Sequence, residues 1–396
     1  MDELQMIREA YGEPEPPTLR EMTEARAAVF GTPPRTRVRF GWRLKAGVGL
    51  VAVGAATAVA IAAVGSGSPA PPATPAGTDL GERAVLAAAE KAAVQPTGKY
   101  WHSDMVDGQS YIIRAKTGTY AITAGGTEVF NWTGLKPGMG EGSFDRDLPA
   151  HPASARDEAL WKKAGSPSTF RVWSNGRFST YTAEAATWRP EGRDADGDPG
   201  GGGKFYGGLG RSSFEDLQDL PSDPSELAEK FFSRSAIERV PREQWERLHG
   251  KGNMDEVVPA MQMRRAMAML RGPLPPKVRG GLMRALAAQP GIHAAGRVTD
   301  PLGRTGVALA TGERSVTSTA ASAASGTPKA EQGTYRYRKV IVFDEGTGAL
   351  LSLQDQLTTP GGPYAGMKPG FVIGYGAQRS SGWSDARPKP PAEPPF

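Results

Sequence analysis

The chain has 396 residues, with 47 lysines and arginines against 42 aspartates and glutamates, a formal net charge of +5 and no cysteine. That near-even balance excludes a protein built around a polyanion such as nucleic acid. The missing thiols exclude disulfides, thiolate metal sites and a cysteine nucleophile. With 51 glycines and 34 prolines, the chain must turn often.

In chain order, residues 1–45 divide by charge. Met1–Glu24 is acidic against only Arg8 and Arg20, whereas Arg26–Lys45 carries bases and no acid. Asp2–Arg8 can form a short helix, Pro14, Pro16 and Pro17 interrupt it, and Thr18 with Glu21 makes a capping box for a second helix reaching about Phe30. These helices read equally as a docking element for a partner or as a solvated tail. Ala46–Val64 follows, uncharged throughout. At about 1.5 Å per residue it makes a helix of about 28 Å, close to the roughly 30 Å of bilayer hydrocarbon. Arg35, Arg37, Arg39, Arg43 and Lys45 precede it, and no acid occurs between Ala25 and Asp79. The positive-inside rule keeps that end in the cytoplasm. The sequence therefore predicts one membrane crossing at 46–64 with a cytoplasmic N-terminus. The competing readings are a cleaved signal peptide, with Ala58-Val59-Ala60 before the cut, and an Ala/Gly helix buried in a globular core. Residues 65–78 form a Pro/Ala/Ser-rich linker too poor in apolar area to fold.

Residues 79–385 read as one extracytoplasmic α+β domain. Thr78 or Asp79 caps a helix to about Val94, with Leu80, Val85, Leu86 and Ala89 as its stripe. Strands are expected at Tyr111–Ile113, Thr119–Thr123 and Thr127–Trp132, and an irregular loop at Gly138–Ala155. Phe170–Ser174 and Arg177–Tyr181 flank Asn175-Gly176, the pair that a type I′ hairpin turn needs. Glu191–Gly203 is a polar loop. Helices follow at Asp223–Arg234, Pro241–Leu248, Met254–Leu270 and Pro276–Ala288, the last two joined at Arg271-Gly272-Pro273. A hairpin is expected from His293–Thr299 and Thr305–Ala310, an exposed loop at Ser315–Thr327, and a final hairpin from Tyr335–Phe343 and Ala349–Leu353. Alternation of Tyr335 and Tyr337 with Arg336 and Arg338 marks a face open to water. Gly and Pro dominate from Thr358, and residues 386–396 are expected to be disordered. Strands, then helices, then strands predict a largely antiparallel curved sheet packed on helices.

Motifs of catalysis or metal binding lack key positions. Asp194-Ala195-Asp196-Gly197-Asp198 opens like a calcium loop but has Pro199 where glycine is needed and Phe205 where glutamate is needed. Gly200–Lys204 ends like a phosphate loop but continues with Phe205. His102, His151, His249 and His293 form no metal-binding spacing, and no G-x-S-x-G is present. Asn131-Trp132-Thr133 matches a glycosylation acceptor. Met254, Met261, Met263, Met267 and Met269 suit either an adaptable ligand surface or, more simply, core packing. No catalytic, cofactor or metal residue is assigned.

Several motifs carry a resemblance: Asp2-Glu3-Leu4, the basic segment with its apolar run, and Leu270-Arg271-Gly272-Pro273-Leu274-Pro275-Pro276. To these add Leu286-Ala287-Ala288-Gln289-Pro290-Gly291, Gly296–Asp300 with Gly303–Ala308, and Val342-Phe343-Asp344 with Thr347–Leu351. Together they resemble a group of uncharacterised single-pass membrane proteins of actinobacteria, often encoded beside extracytoplasmic-function sigma factors. The resemblance implies no catalytic residues. The topology, the two tail helices and the absence of a catalytic constellation point to a non-enzymatic protein of the cell membrane whose outer domain binds a lipid, peptide or envelope partner or senses the envelope, and whose cytoplasmic tail relays that state to a sigma factor or another cytoplasmic protein. The alternatives are a carrier of lipid or lipoprotein with an inert tail and a membrane-anchored hydrolase. The outer domain is also similar at fold level to lipoprotein-carrier domains.

Overall fold

The computed structural model describes residues 77–191, 197–207, 210–237, 254–323 and 326–396. The tail expected at 1–45, the crossing expected at 46–64, most of the 65–78 linker and the helix expected at Pro241–Leu248 lie outside the described residues. Among the described residues no helix is long and apolar enough to cross a membrane.

The described chain is α+β. Its centre is a 12-stranded antiparallel sheet. The strands comprise β1 (Tyr100–Ala115), β2 (Gly118–Ala124), β3 (Thr127–Gly134), β4 (Glu141–Asp147), β5 (His151–Pro152), β6 (Thr169–Ser174), β7 (Arg177–Thr182), β8 (Arg189–Pro190), β9 (Lys204–Gly207) and β10 (Gly210–Ser213). After the helical segment come β11 (Ile292–Thr299), β12 (Thr305–Thr311), β13 (Arg314–Ser318), β14 (Gly333–Phe343), β15 (Leu350–Thr359) and β16 (Val372–Ser384). The main order is β11-β12-β14-β15-β16-β1-β3-β4-β8, with β13 on β14, β2 on β1 and β5 on β2. Two hairpins stand apart, β6–β7 and β9–β10. The β6–β7 turn has Asn175 and Gly176 at φ 50° and 76°, as the Asn-Gly pair dictates.

The helices are α1 (Gly77–Ala92), α2 (Ala155–Lys163), α3 (Phe214–Gln218), α4 (Pro224–Phe231), α5 (Arg234–Ile237), α6 (Met254–Leu270) and α7 (Pro276–Ala287). Val85, Ala88 and Ala89 of α1, Met263 and Met269 of α6, and Leu282 and Leu286 of α7 share one core with Leu309, Ile341, Phe343 and Leu353 of the sheet. The alanines let α7 come close: a side chain at Gly280 would meet the Ala89 carbonyl at 2.5 Å. Arg279 is buried at the end of α6, donating to the carbonyls of Leu270 (2.6 Å) and Gly272 (2.7 Å) that the helix leaves unpaired. Trp101 of β1 lies 5.1 Å from that guanidinium and donates its indole N–H to the Arg271 carbonyl.

Three expectations differ from the structure. Gly138–Ala155, expected irregular, contains β4 and β5, because Phe144 and Arg146 find partners across the ladder to β3. The start of the Ser/Thr/Ala stretch, expected as a loop, forms β13 along β14, where Thr317 and Thr334 hydroxyls pair at 2.8 Å. Residues 386–396, expected without order, lie against β3, β4, β5 and β16. There Arg146 donates to the carbonyls of Ala392 (3.0 Å) and Glu393 (2.7 Å), and Trp188 to that of Pro391 (2.7 Å).

A buried ion network underlies that strap. Glu128 receives Arg146 at 2.6 Å and Arg379 at 2.7 Å, and Asp104 stands beside them. Burial first, then the Glu128 charge, pushes the Asp104 carboxyl from its ordinary 3.8 up to about 7. The folded chain therefore keeps a proton that the unfolded chain loses, so stability falls as pH rises from about 4 to about 7. Urea midpoints measured across that range are expected to flatten in Asp104→Asn. An unchanged decline contradicts the assignment.

Candidate functional site

A cleft of about 440 Å³ opens between α6 and the sheet strands β1, β14, β15 and β16. Its volume is that of a small-molecule site. Apolar surface comes from Met105, Met267 and Leu353, and polar surface from Gln109, Arg264, Arg271, Lys339 and Asp355. Three cations thus face one acid.

Sequence position explains each. Met267, Arg264 and Arg271 recur at helical spacing along and just past α6, so they project from one side of it. Lys339 follows Tyr335 and Tyr337 at alternate places on β14, and Asp355 stands between Leu353 and Leu357 on β15 where a third apolar residue would continue the pattern. Lys339 and Asp355 are direct neighbours across the β14–β15 ladder. β16 contributes Gly374 and Gly376, and the bare backbone makes room: a side chain at Gly376 would meet the Met267 methyl at 2.7 Å.

The electrostatics are those of charges partly withdrawn from water. The Lys339 ammonium is buried and bonded to the Asp355 carboxylate. Burial lowers its pKa, the Asp355 charge restores part of the shift, and Arg264 opposes it. Burial also lowers the Arg271 pKa, against the attraction of Asp107. Arg271 Nε is buried with no hydrogen-bond partner among the described residues. Asp107, raised by burial, accepts the Thr127 amide at 2.9 Å. A guanidinium donor held in a half-dry cleft next to two more cations can receive a carboxylate or phosphate oxygen.

The residues singled out in the sequence lie elsewhere, apart from Met267. Met263 and Met269 are core. His102 stacks near Phe130 on β3, His151 lies against Phe396, and His293 sits on β11, so these three stand on separate strands; His249 is outside the described residues. Asp194 and Asp196 are likewise outside them, while Asp198 accepts the Gly200 amide in a tight turn. Gly200–Lys204 leads into strand β9, not into the helix that a phosphate loop requires. Asn131 sits mid-strand in β3, between β1 and β4, with buried Trp132 and Thr133 after it. Among the described residues no group of acids and histidines is placed to hold a metal ion. The charged lining of the cleft was not singled out in the sequence. Its signal was charge at inward positions of otherwise apolar strands, Lys339 and Asp355.

Comparison with protein-family models, with curated proteins and with solved structures finds no match to this chain.

The buried pair gives a test. Asp355→Asn leaves Lys339 without its counter-charge and is expected to cost about 3 kcal/mol in denaturant unfolding at pH 7. The loss should shrink as pH rises, because Lys339 can shed its proton. Lys339→Met combined with Asp355→Leu should cost less than Asp355→Asn alone. Simple additivity of the single losses contradicts the pairing.

Proposed function

We propose that this is a non-enzymatic binding protein anchored in the cell membrane by Ala46–Val64, with its α+β domain outside the cytoplasm. In this reading the α6–sheet cleft takes a small ligand that joins an anionic head to an apolar body. The observation that carries the reading is Arg271, whose Nε is buried and unpartnered at a cleft also lined by Arg264 and Lys339. Met105, Met267 and Leu353 supply the apolar wall, and methionine adapts to varied shapes. Side chains fill the interface between the sheet and α1, α6 and α7, which supports a small ligand over a carrier of long acyl chains. The acidic-then-basic segment 1–45 is the part of the chain suited to contact a cytoplasmic regulator such as a sigma factor.

Titration calorimetry of the full chain with octyl phosphate against neutral octyl glucoside tests the cleft. Saturable binding of the phosphate is expected, weakened about 10- to 100-fold in Arg271→Ala, the range for loss of one or two charge-assisted bonds. Equal binding of the two probes, or no effect of Arg271→Ala, overturns the reading.

A further inference from the structure

The strap at the end of the chain is held in an unusual way. Its contacts from the sheet are almost all to backbone oxygen. Trp188 donates to Pro391 O, Arg146 to Ala392 O and Glu393 O, and Arg379 to Glu393 O at 2.8 Å. Proline lacks an N–H, so a proline-rich extended chain offers acceptors with few donors. The groove offers the complement: an indole and two guanidiniums, which can only donate. The Arg146 guanidinium is itself fixed, by Glu128 below and the Trp188 ring at 4.3 Å beside it. Such a groove reads the spacing of prolines and carbonyls, not individual side chains.

Burial along the strap agrees. Pro388, Pro390, Pro391, Pro394 and Pro395 are half-buried, whereas Lys389, Ala392 and Glu393 are exposed. The bound stretch therefore reads Pro-Xaa-Pro-Pro-Ala-Xaa-Pro. The same pattern occurs once more, at Pro69-Ala70-Pro71-Pro72-Ala73-Thr74-Pro75. From 388 to 394 and from 69 to 75 every half-buried position is identical; the next, Pro395, is answered by Ala76. The two differences, Lys389 against Ala70 and Glu393 against Thr74, fall on side chains that face water.

We propose that the groove formed by Arg146, Trp188 and Arg379 is a binding site for this proline pattern, and that residues 69–75 of a second copy of the chain are its other ligand, replacing the strap. The choice of a second copy rests on where α1 begins. Pro75 lies two residues before α1, and α1 packs on β11, β12 and α7, with Gly81 against Ala294 and Gly296. The groove lies on the opposite face of the sheet, by β3, β4 and β8. The six residues from Pro75 to Gly81 reach about 20 Å at most. Two contacts belong to the strap alone, Arg387 over Trp132 at 4.3 Å and Phe396 against His151 at 4.3 Å. The strap is thus the tighter ligand, and its covalent link gives it an effective concentration of about a millimolar. Exchange needs the strap to be freed.

A protease site inserted after Asp385 allows the full chain to fold with its strap and then be cut. Anisotropy of a fluorescein-labelled 386–396 peptide reads occupancy of the groove at low chain concentration. An unlabelled 67–77 peptide is expected to displace it, with affinity about 5- to 50-fold weaker for want of the Arg387 and Phe396 contacts. The same peptide with Pro72 and Pro75 changed to alanine is expected to fail. Two differently tagged copies, mixed at high concentration, should copurify after cutting and not before. Trp188→Ala should weaken both peptides alike, and the peptide variants decide the matter even if that chain folds poorly. No displacement at thousandfold excess, or equal displacement by the alanine peptide, overturns the site. A labelled peptide shut out at every chain concentration, or cut copies that stay apart, overturns the assignment to a second copy.

Discussion

The pairing of β1 with β16 is the constraint on which the rest depends. Trp101 lies opposite Trp383, their rings 5.4 Å apart, although almost the whole described chain separates them. Without this ladder the strands before the helical segment and those after it would be two smaller sheets with exposed edges. With it, Tyr100–Val106 of β1 is flanked on both sides, by β16 and β3; β16 runs on to Gln109, and β2 takes Gln109–Ala115. Closing so long a loop costs conformational entropy that only many simultaneous contacts offset. Hence the aromatic and charged cross-links on both faces, Trp101, Trp383 and Phe214 towards the helices and Asp104, Glu128, Arg146 and Arg379 away from them.

Both the cleft and the groove are products of that ladder. The cleft takes its floor from β1, β15 and β16 and its wall from α6, so it exists only where the two halves meet. The groove under the strap takes Arg379 from β16 and Arg146 from β4, bridged through Glu128 of β3. Arg304 shows the same economy at a place where β15 and β16 part: held by Asp300, it donates to the carbonyls of Leu351, Gln378 and Arg379 that the ladders leave free.

Much of the fold was legible because its patterns are local. The Asn175-Gly176 turn, the β11–β12 hairpin and the α6–α7 pair follow from two-residue turn chemistry and apolar spacing. β16 was not legible. In Val372–Ser384 only Ile373, Tyr375 and Ala377 alternate as a short apolar run, interrupted by Gly374 and Gly376 and followed by the polar stretch Gln378–Ser381. It is a central strand because Met267 fills the space over Gly376 and because Arg379 answers Glu128, and neither fact is local. The strap was hidden for the same reason, since prolines without a core signal disorder until distant donors are known. The cleft was partly visible: Lys339 and Asp355 interrupt apolar alternation, but only the ladder makes them neighbours.

Native-state hydrogen exchange of the full chain tests the central ladder most directly. Amides of β1 between Trp101 and Gly108 and of β16 between Gly374 and Trp383 are expected to exchange together, at the rate set by global unfolding. Exchange of β16 through a lower-energy opening, with β1 and β3 still protected, would contradict a sheet joined through its first and last strands.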